Sequence, residues 1–145
     1  MHLTTHTDFA LRLLIHLQVA PASVSVAEVA TAYGISRNHL AKVALELTKL
    51  GWIESKRGRG GGLNALPETS ALTVGTVVRS LEPLAIVECH RESGNTCPIE
   101  PACKLKGVLH EATSAFLAVL DGYTIGSLAR RPELLRSLLQ PPREG

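Results

Sequence analysis

The three cysteines of the chain, Cys89, Cys97 and Cys103, all lie within one short segment. Seven residues separate the first two, and five separate the second from the third. Cysteines that merely fill a core would be scattered along the chain, and an odd number argues against a disulfide framework. Thiolates bind soft transition metals and react with oxidants. The segment therefore predicts a metal or redox site.

The spacing of the cysteines leaves three alternatives open. Zinc sites usually contain tighter cysteine pairs, and the nearby His90 and His110 do not stand at zinc-finger spacing. Wider gaps suit a larger object such as an iron–sulfur cluster, which cysteine thiolates normally hold. Three thiolates would leave one iron to a water, a small molecule or a hard side chain from elsewhere. A cluster, a zinc site and a bare redox-thiol loop are all compatible with the spacing.

The N-terminal half of the sequence predicts a helix-turn-helix. Apolar residues at helical spacing predict a first helix over residues 8–19. A capping box at residues 25–28 opens a second, short helix, and Gly34 ends it. Ser36 then caps a third helix with one apolar face, which Gly51 closes. Two helices joined by a glycine turn, the second with a polar outer face, are typical of this DNA-binding motif.

A basic β-hairpin is predicted directly after the helix-turn-helix. Residues 52–55 and 62–66 are the expected strands, and Lys56, Arg57 and Arg59 lie between them among glycines. Cations beside glycines are typical of a phosphate-binding surface, although charge alone also fits a solvated loop. A hairpin in this position is a wing.

The expected DNA contacts follow from this arrangement. The second helix of such a motif directs its first residues at base edges, where Arg37 could pair with guanine and Asn38 with adenine. Arg59 is the candidate for a narrow minor groove, and Lys56 and Arg57 for phosphates. The complete candidate set is Ser36, Arg37, Asn38, His39, Lys42, Lys56, Arg57 and Arg59.

The C-terminal part predicts an interface between two copies of the chain. Thr73 caps a further helix that Pro83 ends, and after the cysteines an apolar stripe runs from Leu105 to Val119. The stripe predicts a helix of roughly 16 residues, about 24 Å long. A small winged helix cannot cover so long a stripe, whereas the same helix of a second subunit can. We therefore expect a homodimer.

The expected division of the chain has four parts. Residues 1–83 form the DNA-binding domain, 84–104 the cysteine loop, 105–122 the dimerisation helix and 123–145 a C-terminal segment. Its last residues, 141–145, are expected to fray.

The composition narrows the function classes. The 145 residues are 45% hydrophobic but only 3% aromatic, which predicts an aliphatic, mainly α protein with a small β-hairpin wing. No apolar run approaches the ~18 residues of a membrane span, and the first residues lack a signal-peptide pattern. We therefore expect a cytoplasmic protein without a membrane partner. No nucleophile–base pair or phosphate loop stands at a recognisable spacing, which argues against an enzyme.

The sequence resembles the NsrR repressors, which belong to the same superfamily as IscR. The resemblance covers about residues 1–128. The segments that carry it are Leu3–Asp8, Tyr33–His39, Arg57–Gly61, Val78–Leu84 and Pro101–Lys106.

The resemblance implies a cofactor, a signal and a set of ligands. It implies a dimer in which Cys89, Cys97 and Cys103 hold a four-iron, four-sulfur cluster and the partner's Asp8 supplies the fourth ligand. Nitric oxide would attack the cluster and release the repressor from its DNA. Relatives of the IscR type carry a histidine where this chain has Lys106, which argues against their two-iron cluster. The iron-responsive RirA relatives tend to lack the aspartate.

Asp8 has an ordinary interpretation as well, because a negative charge near a helix start favours the helix dipole. With the resemblance the ligand role is preferred, and Arg12, one turn later, could pair with the carboxylate and orient it. A carboxylate is a harder and more weakly held ligand for iron than a thiolate. The expected function is a nitric-oxide-sensing repressor that binds an inverted-repeat operator in double-stranded DNA. The alternative is an iron- or redox-responsive winged-helix regulator with an iron–sulfur site, such as a two-iron cluster, or with zinc.

Overall fold

The computed structural model describes residues 2–140, so the predicted frayed tail at 141–145 lies outside the described residues. Its elements are α1 (Thr5–Val19), α2 (Val26–Tyr33), α3 (Arg37–Lys49), β1 (Ile53–Lys56), β2 (Gly62–Ala65), α4 (Val74–Leu81), α5 (Lys104–Asp121), α6 (Ile125–Leu128) and α7 (Pro132–Leu139). The described chain forms two compact units, one made of residues 2–72 with 124–140 and the other of residues 73–123. The predicted mainly α class with one β-hairpin is confirmed.

Side-chain caps set the starts of the first three helices. The Thr4 hydroxyl accepts a hydrogen bond from the Thr7 amide at 3.3 Å, so α1 begins three residues earlier than predicted. The predicted capping box of α2 is present, because the Glu28 amide donates to Ser25 Oγ at 3.1 Å and the Ser25 amide donates to the Glu28 carboxylate at 2.6 Å. Gly34 adopts a φ of 63°, which a residue with a side chain rarely does. This turn directs the chain from α2 into α3.

The core of the first unit lies between α1 and α3. Leu13 and Leu14 of α1 and Leu40, Val43 and Leu47 of α3 are all fully buried. These residues recur at helical spacing, so each helix has one apolar face turned inward and one polar face turned out. The buried face of α3 therefore fixes which of its residues point away from the protein.

The wing is a two-stranded antiparallel hairpin attached to the chain before α2. Ile53 pairs with Ala65 and Lys56 with Gly62, so the first strand lies one residue later than predicted. The Leu63 amide donates to the Val24 carbonyl at 2.7 Å, and an isolated β-bridge joins these two residues. A side chain at the neighbouring Gly61 would place its Cβ 2.3 Å from a backbone oxygen, so the tight turn requires glycine there.

A paired arginine and aspartate join the two helices of the second unit. Arg79 of α4 donates through both terminal nitrogens to the Asp121 carboxylate at the end of α5, each at 2.6 Å. The close approach depends on Gly75, where a Cβ would lie 2.0 Å from an Asp121 oxygen. Thr73 caps α4 through the Thr76 amide, as predicted.

The long helix α5 has 18 residues, close to the predicted length. Its predicted stripe is largely uncovered, with Leu105, Val108 and Val119 between 58% and 64% exposed. Apolar side chains in a row on one helix face are typical of a surface that another element covers. No helix within residues 2–140 is both long and apolar enough to cross a membrane.

The C-terminal segment belongs to the winged-helix unit. Ile125 of α6 is fully buried, and the Ile125 amide donates to the Leu72 carbonyl at 2.8 Å. Arg136 of α7 donates to the Val19 carbonyl at the end of α1, at 2.6 Å. Helices α6 and α7 therefore extend the domain that contains the wing.

Two leucines of α3 test the assignment of its faces. Leu47 is fully buried and Leu45 is 57% exposed. Leu47→Ala should lower the free energy of unfolding by about 2–5 kcal/mol, because it leaves a cavity in the core. Leu45→Ala should change it by less than about 0.5 kcal/mol. Urea unfolding of the reduced, metal-free variants measures both; equal losses would contradict the assignment.

Candidate functional site

The outer face of α3 presents polar and cationic side chains. Arg37, Asn38 and Lys42 are exposed, and the last two, with Lys49, line an open concavity of about 730 Å³. The Ser36 hydroxyl accepts a hydrogen bond from the His39 amide at 3.2 Å, so it caps the helix as predicted. This face has the donors that base edges and phosphates require.

His39 differs from its neighbours because its ring packs back onto α1. The His39 ring lies 4.9 Å from the ring of Phe9 and 5.9 Å from that of His6, measured between centroids. His6 Nε2 also lies 2.7 Å from a carboxylate oxygen of Glu46 in α3, although the contact is not aligned as a hydrogen bond. The start of α1 is thus in direct side-chain contact with the candidate recognition helix.

The cations of the wing are not equivalent. Lys56 Nζ lies 2.8 Å from a carboxylate oxygen of Glu54 on the same strand, so part of its charge is compensated. Arg57 and Arg59 are exposed, and the structure shows no ion pair for either of them among residues 2–140. The two arginines are therefore the cations that this hairpin presents most freely.

Asp8 and Arg12 form the predicted pair on α1. Arg12 Nε donates to one carboxylate oxygen of Asp8 at 3.0 Å, and the second oxygen lies 2.8 Å from another guanidinium nitrogen. The guanidinium carbon lies 5.9 Å from the ring centroids of both Phe9 and Tyr33. Tyr33 OH donates to the Arg12 carbonyl at 3.2 Å, and burial raises the pKa of this phenol. The side chain that orients Asp8 is itself held by two aromatic rings.

The cysteine loop consists of irregular backbone with two short 3₁₀ turns, Glu88–His90 and Glu100–Ala102. All three cysteines are free thiols and half-buried. No residue from 82 to 116 is fully buried. The order of this segment therefore comes from polar contacts rather than from packing.

Three polar contacts shape the loop. The Glu88 carboxylate accepts hydrogen bonds from the Thr96 amide at 2.7 Å and the Thr96 hydroxyl at 2.8 Å. His90 Nε2 lies 3.0 Å from the Lys106 carbonyl in the first turn of α5. The Lys106 ammonium pairs with the Glu100 carboxylate. The Thr96 bonds hold the pKa of Glu88 below its usual range.

A charged side chain and a helix start lie near the cysteines. Glu100 raises the pKa of Lys106 most, and charge interactions with Cys89 and Cys103 raise it further. Cys103 occupies the N-cap position of α5, where the helix dipole stabilises negative charge. A cation and a helix start thus lie beside two of the three candidate ligands.

The donor set has the chemistry that an iron–sulfur cluster requires. Among residues 2–140, no group of three or more histidine, cysteine or acidic side chains converges closely enough to hold a metal ion. A polynuclear cluster binds each thiolate at a different iron, so its ligands need not converge on one point. Three free, half-buried thiols on a loop with no packed interior fit such a group.

Sequence reasoning located the candidate residues but missed the contacts that hold several of them. It did not predict the packing of His39 on α1 or the bonds between Glu88 and Thr96. One signal for the second was available, because each of those two residues immediately precedes a cysteine.

The helix-turn-helix, the wing and the cationic outer face together define a winged-helix DNA-binding regulator. Residues 3–131 match the Rrf2 family, which is described as iron-dependent transcriptional regulators. The HTH-type transcriptional regulator NsrR of Shouchella clausii is 48% identical over 143 residues, which are 97% of this chain and 96% of that protein. NsrR of Geobacillus kaustophilus is 42% identical over 146 residues, 99% of either chain.

The chain therefore belongs to the Rrf2 family, and it is a transcriptional regulator rather than an enzyme, as the sequence predicted. Two solved structures confirm the winged-helix fold. CymR, the global cysteine regulator of B. subtilis, superposes with a TM-score of 0.68 at 24% identity, covering 89% of this chain and 96% of its own. T. potens IscR gives a TM-score of 0.72 at 21% identity, with 94% and 91% coverage.

Ser36 allows its capping role to be separated from DNA contact. Ser36→Ala should lower the free energy of unfolding by about 1 kcal/mol, whereas Ser36→Asp retains a capping oxygen and should preserve stability. The added negative charge would face phosphates, so Ser36→Asp should weaken DNA binding by about tenfold. Thermal unfolding and fluorescence anisotropy with a duplex selected by the protein measure the two effects. The matched control, Ser25→Asp at the cap of α2, should leave DNA binding unchanged; a loss there too would refute the assignment of α3.

Proposed function

We propose that this chain is a homodimeric repressor that senses nitric oxide through a four-iron, four-sulfur cluster. The observation that carries the proposal is the presence of three free thiols on one unpacked loop in a chain whose other unit exposes a recognition helix. The NsrR relatives match this chain almost from end to end, which supports the same assignment. Reduced thiols and a DNA target both suit the cytoplasm.

Cys89, Cys97 and Cys103 would hold the cluster, with Asp8 of the partner subunit as the fourth ligand. When bound, the cluster supplies iron that reacts with nitric oxide. The role of the loop would be to present the three cysteine ligands, with Lys106 near Cys89 and Cys103 and with Cys103 at the start of α5. The role of Arg12 is to aim the Asp8 carboxylate, because its bidentate contact fixes both oxygens.

The contacts of α1 suggest how the state of Asp8 reaches the DNA. Phe9 follows Asp8 directly, and its ring packs on His39 at the start of α3. A change in the position of Asp8 would move the start of α1, and a close-packed contact passes such a movement on. The outer residues of α3, above all Arg37, Asn38 and Lys42, would then lose their register on an inverted repeat. Arg57 and Arg59 of the wing would contact the backbone and the minor groove.

Anaerobic purification followed by titration with nitric oxide tests the proposal. The chain should contain iron and acid-labile sulfide, and its absorbance should change as nitric oxide is added. Binding to a duplex selected from a random library by the purified protein should fall in the same titration. Zinc without sulfide would refute the iron–sulfur cluster. DNA binding that does not change with added nitric oxide would refute nitric oxide as the signal.

Asp8 is the residue that most directly tests the link between cluster and DNA. Asp8→Ala should still take up iron and sulfide on the cysteines but should lose them to a chelator about tenfold faster. Nitric oxide should also change the DNA affinity of Asp8→Ala less than it changes the DNA affinity of the parent chain. Glu133→Ala, which removes an exposed carboxylate from the first turn of α7, is the matched control and should behave as the parent chain. Wild-type gel shifts from Asp8→Ala under both conditions would contradict the role.

The exposed stripe of α5 tests the dimer. Val108 is 58% exposed, and Val108→Lys should convert the dimer to a monomer because it places a charge in an apolar interface. Ser114→Lys adds the same charge at an exposed position on the opposite face of α5 and should remain dimeric. Analytical ultracentrifugation of both variants at micromolar concentration measures their oligomeric state. A dimeric Val108→Lys variant would exclude this stripe as the interface.

A further inference from the structure

We infer that Glu88 is a positioning residue: together with Thr96 it forms a clasp that holds Cys89 and Cys97 as neighbours before any metal is bound. The inference rests on the proposed function for its meaning, since it assumes that these cysteines receive a cluster. The clasp itself is a property of the metal-free chain and can be tested there.

The geometry of the clasp places it directly beside two ligands. One carboxylate oxygen of Glu88 accepts from both the amide and the hydroxyl of Thr96, at 2.7 and 2.8 Å. Glu88 is the residue before Cys89, and Thr96 is the residue before Cys97. The two hydrogen bonds therefore close the loop between the first two cysteines at its base.

Nothing else within this loop replaces the clasp. The residues that it encloses include Gly94, which has a φ of 84°, and no residue from 89 to 95 is fully buried. An unclosed loop of this kind samples many separations of its ends, and closing it costs conformational entropy. Hydrogen bonds to an ionised carboxylate are among the stronger ones, so a single side chain can bias the loop toward its closed form.

The other polar contacts complete the arrangement without duplicating the clasp. His90 joins the first side of the loop to the Lys106 carbonyl, and Glu100 joins the turn after Cys97 to the Lys106 ammonium. Both contacts reach α5 near Cys103. The separation of Cys89 from Cys97 is the one that depends directly on Glu88.

Thiol cross-linking of the full-length metal-free chain tests the clasp. The reduced protein is treated with a short bifunctional thiol reagent, and the cross-linked pairs are mapped by mass spectrometry over time. Glu88→Leu removes the oxygen that accepts both hydrogen bonds and should slow the Cys89–Cys97 cross-link by about threefold or more. The Cys97–Cys103 cross-link, which lies outside the clasp, should form at the parent rate.

Three further variants separate positioning from a general loss of structure. Glu88→Gln keeps an amide oxygen that can accept from Thr96, so it should largely restore the cross-linking rate. Thr96→Val removes the hydroxyl donor and should slow the reaction less than Glu88→Leu. Glu92→Leu is the matched control, because Glu92 is an exposed acid of the same loop for which the structure shows no hydrogen bond. A parent rate in Glu88→Leu, or an equal slowing in Glu92→Leu, would overturn the inference.

A second measurement asks whether the clasp serves the cluster. The variants are reconstituted with ferrous iron and sulfide, and the loss of absorbance is followed in the presence of a chelator. Glu88→Leu should lose the absorbance about threefold faster than the parent chain and Glu92→Leu at the parent rate. Equal rates in all three would overturn the positioning role. Failure of the proposed function is distinguishable, because the parent chain itself would then contain no iron or sulfide. The cross-linking experiment would still test the clasp, since it uses the metal-free chain.

Discussion

The burial of α1 against α3 is the interaction on which both ends of the proposed mechanism depend. Leu13 and Leu14 on one side and Leu40 and Leu47 on the other share one core. Interiors of this kind are close-packed and resist small displacements. The outer face of α3 therefore has a fixed orientation relative to the polar start of α1, where Asp8 lies. Under the proposed function, a displacement of that carboxylate would therefore also displace α3, because the two helices pack directly on each other.

The cysteine segment is held in the opposite way. It lies in the stretch from residue 82 to 116, none of which is fully buried, and its order comes from hydrogen bonds and ion pairs between exposed or half-buried groups. Segments with few buried apolar contacts open at a low free-energy cost. Under the proposed function, such a segment could change its conformation on gain or loss of a cluster without unfolding the rest of the chain. The winged-helix unit, in contrast, needs its rigidity to keep a register on DNA.

Sequence reasoning succeeded where a structural signal is local. The capping box at Ser25, the glycine turn at Gly34 and the Asp8–Arg12 pair all follow from residues at most four positions apart. It was less accurate where the structure of a segment depends on residues far away in the sequence. The first strand of the wing is shifted by one residue, because cross-strand pairing of Lys56 with Gly62 extends it beyond the apolar pattern. The orientation of His39 depends on Phe9, thirty residues earlier in the chain, and no periodicity encodes that contact. The Glu88–Thr96 clasp has the same character, since an irregular loop has no repeat from which to infer its partners.

The exposed stripe of α5 and the unpacked cysteine loop adjoin each other in sequence. The stripe has little apolar cover, and the loop has no buried residue. Leu105 and Val108 lie in the first turns of the helix that Cys103 caps, and both are more than half exposed. A second subunit would supply apolar cover for the stripe, and a bound cluster would supply the cross-links that the loop lacks. Metal binding to a site that is not rigid beforehand contributes directly to folding free energy. Under the proposed function, cluster and dimer would therefore stabilise neighbouring parts of one unit, and losing the first would weaken the scaffold of the second. The inferred clasp at Glu88 would make the conformation of the loop depend less on the cluster. Because it keeps Cys89 and Cys97 close together, the loop could bind a new cluster without first refolding.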